Sequence, residues 1–304
     1  MVISILIVSW NTRDLLRDCL KSIQQTIPQE LRQTIVVDNA SSDGSAEMVA
    51  RDFPWVELLR NDENLGFGRA NNQASAHARG EALLLLNPDT ILHPQAVTRL
   101  VEVLKQQPRA GAAGPRILNP DGTLQVSIYP SPTLLRETWR LFHLDRLLPL
   151  SQYSRRKLAA RQPTPVDVLM GACMLIRRDI IDQIGLFDEQ FFVYSEEVDL
   201  CCRIQQAGWQ LVWLPDAEVT HFGGQSTRQV ADAMFLELYR NKVKFFRKHG
   251  NSLSTPVYKG ILYLAAFLRL LGGRLFGATK TGSKNGWSEI SRQYGLLIQA
   301  LPGM

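Results

Sequence analysis

The sequence predicts an α/β fold in which helices cover both faces of a parallel β-sheet. Two observations predict it. Short apolar runs of strand length alternate with helical periodicities through residues 1–115, and this alternation is typical of βαβ units. The 304 residues, 45% hydrophobic and 21% charged, have the composition of a globular protein and the length of one large domain, alone or with an appendage.

Each predicted element rests on its own pattern. Continuous apolar runs predict strands that are buried on both faces of the sheet. Apolar residues at helical spacing predict helices that begin at Thr12, at Phe67 and near Pro94, where a proline favours the first helical turn. The predicted strands cover residues 4–10, 34–39, 56–61 and 82–87.

The chain after residue 118 has a different character. Residues 119–165 contain six prolines and scattered aromatic side chains, and we expect an irregular excursion that shapes a substrate cleft. Regular apolar runs return at residues 166–178 and 210–222, on either side of an acidic segment.

Charge and cysteine content narrow the class of protein. The formal net charge is +5, and basic residues concentrate at 155–161 and 240–248. These groups could contact phosphate, anionic lipid or nucleic acid, but solvated helix faces are the simpler interpretation. The four cysteines form no C-x-x-C pair, and the N-terminus lacks the basic flank of a signal peptide. We therefore expect a reduced, cytoplasmic protein whose partners do not include nucleic acid.

The C-terminal segment Val257–Gly277 is apolar but interrupted by charges. Its longest uncharged run is Gly260–Leu268, whereas a membrane span needs about 20 residues. On a helix, Lys259, Arg269 and Arg274 would fall within an arc of about 140°. Two interpretations stay open, namely an amphipathic helix at a membrane interface or a helix packed on the domain.

Polar side chains end each predicted strand. They are Ser9 and Asn11, Asp38 and Asn39, Asn61 and Asn64, and Asn87 and Asp89. Parallel strands bring their carboxyl ends to one edge of a sheet, and α/β proteins bind ligands there. We therefore expect a binding site at this edge, with Asp38 placed to accept an N–H from a nucleobase.

Asp89 follows the buried run Leu83–Leu86 and has two interpretations. The polar stretch Asn87-Pro88-Asp89-Thr90 suits a simple turn. Carboxylates are also the ligands that Mg²⁺ and Mn²⁺ prefer, commonly one or two of them together with substrate phosphate oxygens. A carboxylate at the ligand-binding edge of the sheet fits that second role.

An acidic segment at the start of a predicted helix provides candidate bases. Acids favour the first turn of a helix, and Asp199 can pair with Arg203 at i+4. This explanation does not cover Glu196 and Glu197, because they follow the aromatic run FFVY, whose apolar side chains would raise a carboxyl pKa toward that of a general base. His221, at the end of the next predicted strand, is either structural or a ligand.

Two loop motifs are less specific. Gly66-x-Gly68 invites a dinucleotide-binding interpretation, but Asn71 occupies the third glycine position. These glycines more simply let a loop turn tightly or approach a ligand. Ser42 or Asp43 suits a turn and the cap of the following helix.

Taken in order, these motifs resemble family 2 glycosyltransferases, and in particular the bacterial rhamnosyltransferase subgroup. The matching stretches are VSWNTRDLLRDCLKSI, VVDNASSDGS, NLGFGRANN, LLLLNPDT, GACMLIRRD, GLFDEQFFVYSEEVDLCCRIQQAGW and HFGGQS. They span about residues 3–250. The resemblance implies a GT-A (Rossmann-like) fold with a mixed, mostly parallel sheet flanked by helices. It also implies a nucleotide-diphosphate sugar donor, a divalent Mg²⁺ or Mn²⁺ ion and inversion at the sugar carbon.

The resemblance further implies roles for individual residues. Asp89 stands in the metal motif, where Asn87 replaces the first acid, and His221 matches a histidine that can complete the metal site. SEEVDL stands where the family has Glu-Asp-x-Asp, so Glu197 occupies the position of the catalytic base and Glu196 is the alternative. The residues implied in nucleotide-sugar binding are Ser9, Asn11, Asp38, Asn39, Gly66, Arg69, Asn71 and Asn87.

The main hypothesis is a metal-dependent inverting glycosyltransferase that moves a sugar, here rhamnose from dTDP-rhamnose, to a bacterial polysaccharide or lipid-linked glycan. Residues 1–250 would form the catalytic domain, with donor-binding (1–115) and acceptor (116–250) halves. Residues 251–304 would form a helical extension that contacts the cytoplasmic face of the inner membrane.

Two other hypotheses stay open. A sugar-nucleotide pyrophosphorylase shares the fold, but it needs a glycine- and arginine-rich phosphate loop where this chain has WNTRD. A catalytically inactive sugar-nucleotide-binding scaffold is supported by the glutamate at the position of the usual aspartate base.

Overall fold

The computed structural model describes residues 1–223, 231–276 and 284–304. Gly224, Gly277 and the side chain of Arg274, which belong to motifs discussed above, lie outside what the structure describes. The chain forms two compact units. One comprises Met1–Ser131, Tyr153–Phe192 and Glu196–Gln229, and the other comprises Pro132–Gln152, Val193–Ser195 and Val230–Met304. The domain boundaries that we place at residues 115 and 250 stay predictions.

The first unit contains a ten-stranded sheet. Its first four strands are β1 (Ile3–Ser9), β2 (Arg32–Asp38), β3 (Glu57–Arg60) and β4 (Ala82–Leu86). They pair in parallel in the order β3-β2-β1-β4, which confirms the predicted strands and their direction. The helices of this region are α1 (Arg13–Thr26), α2 (Ser45–Asp52), α3 (Phe67–His77) and α4 (Ala96–Gln106).

The second half of the sheet is mixed rather than parallel. Its long strands are β6 (Ala110–Leu118), β11 (Cys173–Arg177) and β12 (Gln210–His221), and its short ones are β5 (Thr90–Leu92), β7 (Leu124–Gln125) and β9 (Thr164–Val166). β11 runs antiparallel to β4 and β6, whereas β12 runs parallel to β6 and antiparallel to β5. β8 (Ile128–Tyr129) and β10 (Val168–Leu169) form a separate pair.

Residues 119–165 are less irregular than expected. Besides β7, β8 and the start of β9, they include α5 (Leu134–Leu141) and α6 (Arg155–Leu158). After β11 the chain forms α7 (Arg178–Ile184) and α8 (Glu196–Gln206). α8 begins at the acidic segment, as predicted.

Apolar clusters pack on both faces of the sheet. Alternate residues of β4 divide between them, since Leu84 and Leu86 join one cluster and Leu83 and Leu85 join the other. The first cluster includes side chains of α1 and α4, and the second includes side chains of α3, α7 and α8. The leucine run is therefore buried on both sides, as expected for a central strand.

The second unit is helical, with α5, α9 (Ala231–His249), α10 (Ser254–Phe276) and α11 (Lys284–Ala300). Within it Lys242 Nζ of α9 lies 2.6 Å from Glu137 Oε2 of α5. Tyr239 and Tyr294 hydroxyls lie 3.1 Å apart between α9 and α11. No helix of the described ranges is long and apolar enough to cross a bilayer.

Candidate functional site

The polar strand ends meet at one edge of the sheet. Ser9 pairs with Asp38 in the β1–β2 register, and Asp38 pairs with Arg60 in the β2–β3 register. Asn87 directly follows β4, and its amide N donates to the Ala172 carbonyl at 2.9 Å, just before β11 begins. The candidate residues from β1, β2 and β4 thus share the carboxyl edge that the sequence predicts.

Asp38 has a free acceptor at this edge. Its carboxylate Oδ2 accepts a hydrogen bond from the Ser41 amide at 3.0 Å. Its Oδ1 is buried and has no hydrogen-bond partner among the described residues. A buried acceptor without a partner costs free energy that a ligand donor would recover, so Asp38 is suited to receive an N–H from a nucleobase. Ser9 Oγ instead pairs with Thr12 Oγ1 at 2.9 Å.

The two predicted asparagines of this region hold loops. Asn11, at a positive φ of 52°, accepts the Ser42 amide at 2.8 Å through Oδ1. Asn39 accepts hydrogen bonds from Asn61 Nδ2 at 3.0 Å and the Leu65 amide at 3.1 Å. The side chains of Asn11 and Asn39 therefore shape the walls of the site.

Gly44 is the N-cap of α2, rather than Ser42 or Asp43 as predicted, but Asp43 just before it accepts hydrogen bonds from the first residues of two helices. Its carboxylate accepts the Arg13 amide at 2.8 Å and the Ser45 amide at 3.0 Å. Partial burial raises the pKa of Asp43, but the hydrogen bond from the Ser45 hydroxyl, 2.6 Å away, and those from the two amides outweigh it and lower the pKa. The loop after β2 is thereby fastened to the start of α1.

Gly66 is required by a close approach of the chain. Its φ is +82°, and a Cβ there would lie 2.5 Å from the Phe192 ring and 2.7 Å from the Phe192 carbonyl oxygen. The Phe67 amide donates to the same carbonyl at 3.0 Å. The glycine loop therefore docks on the aromatic segment that leads toward the candidate bases.

The predicted residues of α3 face different surroundings. Arg69 is exposed and lies 3.4 Å from Glu189. Asn71 is buried, and its Nδ2 donates to the Phe67 carbonyl at 2.9 Å. Asn72, which the sequence reasoning missed, accepts the Phe187 amide and donates to the Phe187 carbonyl, both at 2.9 Å.

Asp89 and His221 come together at the end of β4. The carboxylate Oδ1 lies 3.2 Å from His221 Nε2, and both side chains are largely buried. His221 pairs with Thr90 in the β12–β5 register, and the Phe222 amide donates to the Asp89 carbonyl at 3.0 Å. Asn87 Nδ2 lies 3.3 Å from the same Nε2. Three residues that the sequence implicates are thus in contact.

This cluster fits a divalent cation. Ligands on adjacent corners of an octahedron with bonds of about 2.1 Å stand about 3.0 Å apart, close to the separation of Asp89 and His221. Asn87 Oδ1 is buried beside them without a partner in the described chain. Over the described residues no group of three or more His, Cys, Asp and Glu could hold a metal. Phosphate oxygens and water would therefore complete the coordination.

The two glutamates at the start of α8 differ in exposure. Glu196 is buried, and its Oε2 has no hydrogen-bond partner among the described residues. Burial, and then the charge of Glu197, raise the pKa of Glu196 well above its usual value. Glu197 is half-buried, and burial raises its pKa as well. Both shifts favour the protonated form of the carboxyl group.

Glu197 packs against the chain beside the candidate metal pair. A Cβ on Gly171 would lie 3.3 Å from Glu197 Cβ. The next residue, Ala172, accepts the Asn87 amide, so Glu197 lies close to the end of β4. Tyr194 and Ser195, immediately before α8, have positive φ values of 67° and 68°, a strain that is typical of functional segments.

Asp199 has the structural role that its spacing predicts. It is fully buried and lies 2.8 Å from Arg203 Nε, four residues later on α8. The Arg203 guanidinium also donates to the carbonyls of Ile184, Gly185 and Leu186. The pair therefore anchors the loop after α7.

Gln125 belongs to the site although no motif indicates it. Its Oε1 lies 2.7 Å from His221 Nδ1. The nearby stretch NPDGT is a turn signal, but a turn does not reveal which residue of the following strand will contact a histidine 96 positions later.

Comparison with known proteins agrees with the motifs. A family model described as glycosyl transferase family 2 matches residues 4–185. N-acetylglucosaminyl-diphospho-decaprenol L-rhamnosyltransferase of Mycobacterium tuberculosis is 35% identical over 207 residues, covering 64% of this chain and 67% of that protein.

Solved structures confirm the GT-A fold. Mannosyltransferase PcManGT from Pyrobaculum calidifontis, in complex with GDP-Man and Mn²⁺, has a TM-score of 0.57 at 18% identity and aligns over 98% of this chain and 85% of its own. GalNAc-T7 with UDP, GalNAc and Mn²⁺ has a TM-score of 0.56 at 15% identity, over 98% and 55%. At these identities the likeness concerns the fold alone. Motifs, family match and fold together assign the chain to glycosyl transferase family 2, as a glycosyltransferase that resembles rhamnosyltransferases.

Proposed function

We propose that the protein transfers a sugar from a nucleoside-diphosphate donor to a hydroxyl group of a glycan or lipid-linked acceptor. A divalent cation would be held by Asp89 and His221, with Asn87 beside them. The observation that carries the proposal is the 3.2 Å contact between Asp89 and His221, with Glu197 packed against Gly171 close by. Family membership supplies the reaction class.

Each side chain of the site has a separate role in the transfer reaction. Glu197 removes the proton of the acceptor hydroxyl while its oxygen bonds to the anomeric carbon and the bond to the donor phosphate breaks. Attack opposite the leaving group inverts the configuration. A bound cation supplies the positive charge that the departing diphosphate needs, so a second carboxylic acid is not required.

Glu197 suits the base better than Glu196 does. A general base must reach substrate and give up its proton near the working pH. Glu197 is half-buried, and its raised pKa moves toward that range. Glu196 is buried, and its pKa is raised further by the neighbouring charge. The buried carboxyl group is therefore the one that holds its proton.

The nucleotide would bind along β1 and β2. The unpartnered Oδ1 of Asp38 is the acceptor for a base N–H, while Ser9, Asn11, Asn39 and Gly66 form the surrounding walls. The relative from M. tuberculosis is a rhamnosyltransferase by name, which supports dTDP-rhamnose as the donor. Its name also includes a decaprenyl diphosphate, which supports an acceptor linked to a polyprenyl lipid.

The base assignment is tested by measuring transfer and donor hydrolysis with and without Mn²⁺. Glu197→Gln should lower the rate about 10²- to 10⁴-fold, the usual contribution of a general base, and Asp89→Asn should remove the response to Mn²⁺. Glu102→Gln, a change on the surface of α4, is the matched control. Equal, measurable rates for wild type and Glu197→Gln would contradict Glu197 as the base, and equal rates at the level of the uncatalysed reaction would favour the inactive scaffold.

A lipid-linked acceptor would bring the protein to the cytoplasmic face of a membrane, and α10 offers a surface for this. Tyr258, Leu262, Ala265 and Ala266 are buried within the second unit, whereas Leu264 and Phe267 are 53% and 60% exposed. The exposed apolar residues of α10 that share an arc of about 100° are Val257, Leu264, Phe267, Leu268 and Leu271.

The positive charge of this part of the sequence favours an anionic lipid surface as the partner of the exposed face of α10. The sequence from Gly250 to Trp287 contains five basic residues and no acidic one. Basic residues near a membrane each contribute about 1 kcal/mol of attraction to anionic lipid, and the apolar face would enter the interface.

Vesicle sedimentation tests this contact. The double variant Leu264→Ser, Phe267→Ser should bind phosphatidylglycerol vesicles with at least tenfold lower affinity than wild type. Wild type should bind phosphatidylcholine vesicles only weakly. Leu31→Ser removes an apolar residue that is 44% exposed outside α10 and should bind as wild type does. Equal binding of the double variant and wild type would contradict the contact.

A further inference from the structure

A continuous chain of side-chain hydrogen bonds runs from the β6–β7 turn to His221. Thr123 Oγ1 lies 2.6 Å from Asp121 Oδ1, and Asn119 Nδ2 lies 2.9 Å from Thr123 Oγ1. Asn119 Oδ1 lies 2.9 Å from Gln125 Nε2. Gln125 Oε1 then lies 2.7 Å from His221 Nδ1. This series of hydrogen bonds thus joins a surface turn to the imidazole ring beside Asp89.

The donor and acceptor of each hydrogen bond in this series follow from the ionised carboxylate of Asp121, where the series begins. An ionised carboxylate only accepts, and the hydrogen bond from the Thr123 hydroxyl holds the pKa of Asp121 below its usual value. The Thr123 hydroxyl therefore donates to Asp121, and its oxygen accepts from the amide group of Asn119. Asn119 then presents its carbonyl oxygen to Gln125.

The orientation of Gln125 decides the protonation of the ring. Its Nε2 donates to Asn119 Oδ1 and also lies 3.3 Å from the His221 carbonyl oxygen. Its Oε1 is therefore the atom that faces Nδ1. Because Oε1 can only accept, Nδ1 carries the proton. The unprotonated Nε2 then lies 3.2 Å from Asp89 Oδ1 and 3.3 Å from Asn87 Nδ2, which can donate to it until a cation takes its place.

We infer that Gln125 is a positioning residue that holds His221 as the Nδ1–H tautomer and thereby keeps Nε2 available to a divalent cation. This inference rests on the proposed function, since it concerns the cation between Asp89 and His221. In the other neutral tautomer, Nε2–H would donate to Asp89 and close the site with an internal hydrogen bond. Without Gln125 that closed pair competes with metal binding.

The tautomer is measured first, with no metal present. In protein labelled with ¹⁵N-histidine, the nitrogen shifts of the neutral His221 ring, assigned by comparison with His221→Asn, report which nitrogen carries the proton. Wild type and Gln125→Glu, which keeps an acceptor oxygen, should show Nδ1–H. Gln125→Leu should shift the ring toward Nε2–H. A wild-type ring protonated at Nε2 would overturn the inference.

Manganese affinity is measured next, by the electron paramagnetic resonance signal of free Mn²⁺. Gln125→Leu should bind Mn²⁺ about 10- to 100-fold more weakly than wild type, the usual effect of removing a partner of a ligating histidine. Gln106→Leu, at the exposed end of α4, is the control and should match wild type.

The outcomes separate the inference from the proposed function. A wild type that does not bind Mn²⁺ would overturn the proposed metal site, while the tautomer measurement still judges the role of Gln125. A wild type that binds Mn²⁺, together with a Gln125→Leu variant of equal affinity and unchanged tautomer, would overturn only the role of Gln125.

Discussion

The two adjacent glutamates at the start of α8 lie in different environments. Glu196 is buried with an unpartnered Oε2, and Glu197 packs its Cβ close to Gly171. A buried carboxyl group without a partner is more stable when protonated. The environment of Glu196 therefore favours its protonated form more strongly than that of Glu197 does.

Glu196 should make the stability of the protein fall as the pH rises. Its pKa is raised in the folded state, so its stabilising contribution is complete below the ordinary glutamate pKa and is lost as the pH passes through the folded pKa. In this window the loss is about 1.4 kcal/mol per pH unit. Urea unfolding from pH 4 to 9 should show this slope in wild type and a smaller one in Glu196→Gln.

The control for this measurement is Glu102→Gln, since the side chain of Glu102 is 42% exposed in its ion pair with Arg99. Its unfolding free energy should follow that of wild type at every pH. A Glu196→Gln protein with the same pH slope as wild type would show that this carboxyl group titrates alike in the folded and unfolded states.

Among the elements, the loop between α7 and α8 is held at its start and at Phe192. Arg203 of α8 binds the carbonyls of its first residues, and Asn72 of α3 binds Phe187 through both backbone groups. Gly66 then allows Phe192 to approach. These contacts fix the aromatic segment from which the chain continues to Glu196.

Gly66→Ala should destabilise the protein more than Gly208→Ala does. Both glycines have positive φ, 82° and 88°, but Gly66 also has ψ 173°, a combination that only glycine adopts readily. An added Cβ at Gly66 would in addition meet Phe192 at 2.5 Å, whereas one at Gly208 would meet nothing within 4 Å. Gly208→Ala should cost about 1 kcal/mol, and Gly66→Ala about 1–3 kcal/mol more, measured by urea unfolding. Equal losses would mean that neither the backbone conformation of residue 66 nor the contact with Phe192 resists the added Cβ.

Strands β1 to β4 can be predicted because a short continuous run of apolar residues indicates a buried strand. The direction of β11 cannot, since an antiparallel strand buried on both faces has the same pattern. The sequence does not predict β6, because this strand begins with the small residues AGAAG and contains a proline and an arginine. A Cβ on Gly111 would lie 2.7 Å from Ile180 and Trp209, so packing against neighbouring side chains selects glycine.

Only part of the site can likewise be predicted from the sequence. Asp38, Asp89 and His221 stand at strand ends, where residue type and position suggest a ligand. The contact of Gln125 with His221 depends on how β7 and β12 each pair with β6, and Asn72 acts through a loop 115 residues away. Such contacts appear only when the sheet is assembled.

For the whole molecule, ligand binding and folding should be linked, because the site combines residues from β1, β2, β4 and β12. A ligand that binds only the folded state at 100 times its Kd adds about 2.7 kcal/mol of stability. In a thermal-shift panel, dTDP-rhamnose with Mn²⁺ should raise the Tm more than either alone. Asp89→Asn should abolish the extra shift, and equal shifts in that variant would contradict a metal-bridged donor.

The contact of Asp89 with His221 depends on the register of β12 against β5, in which His221 stands opposite Thr90. Inserting one residue within β12 before His221 would turn that ring to the opposite face of the sheet and separate it from the carboxylate. Length changes in the connection after α4 leave this register alone. The connection after α4 can therefore change in length without moving His221, whereas insertions and deletions within this ladder would separate His221 from Asp89.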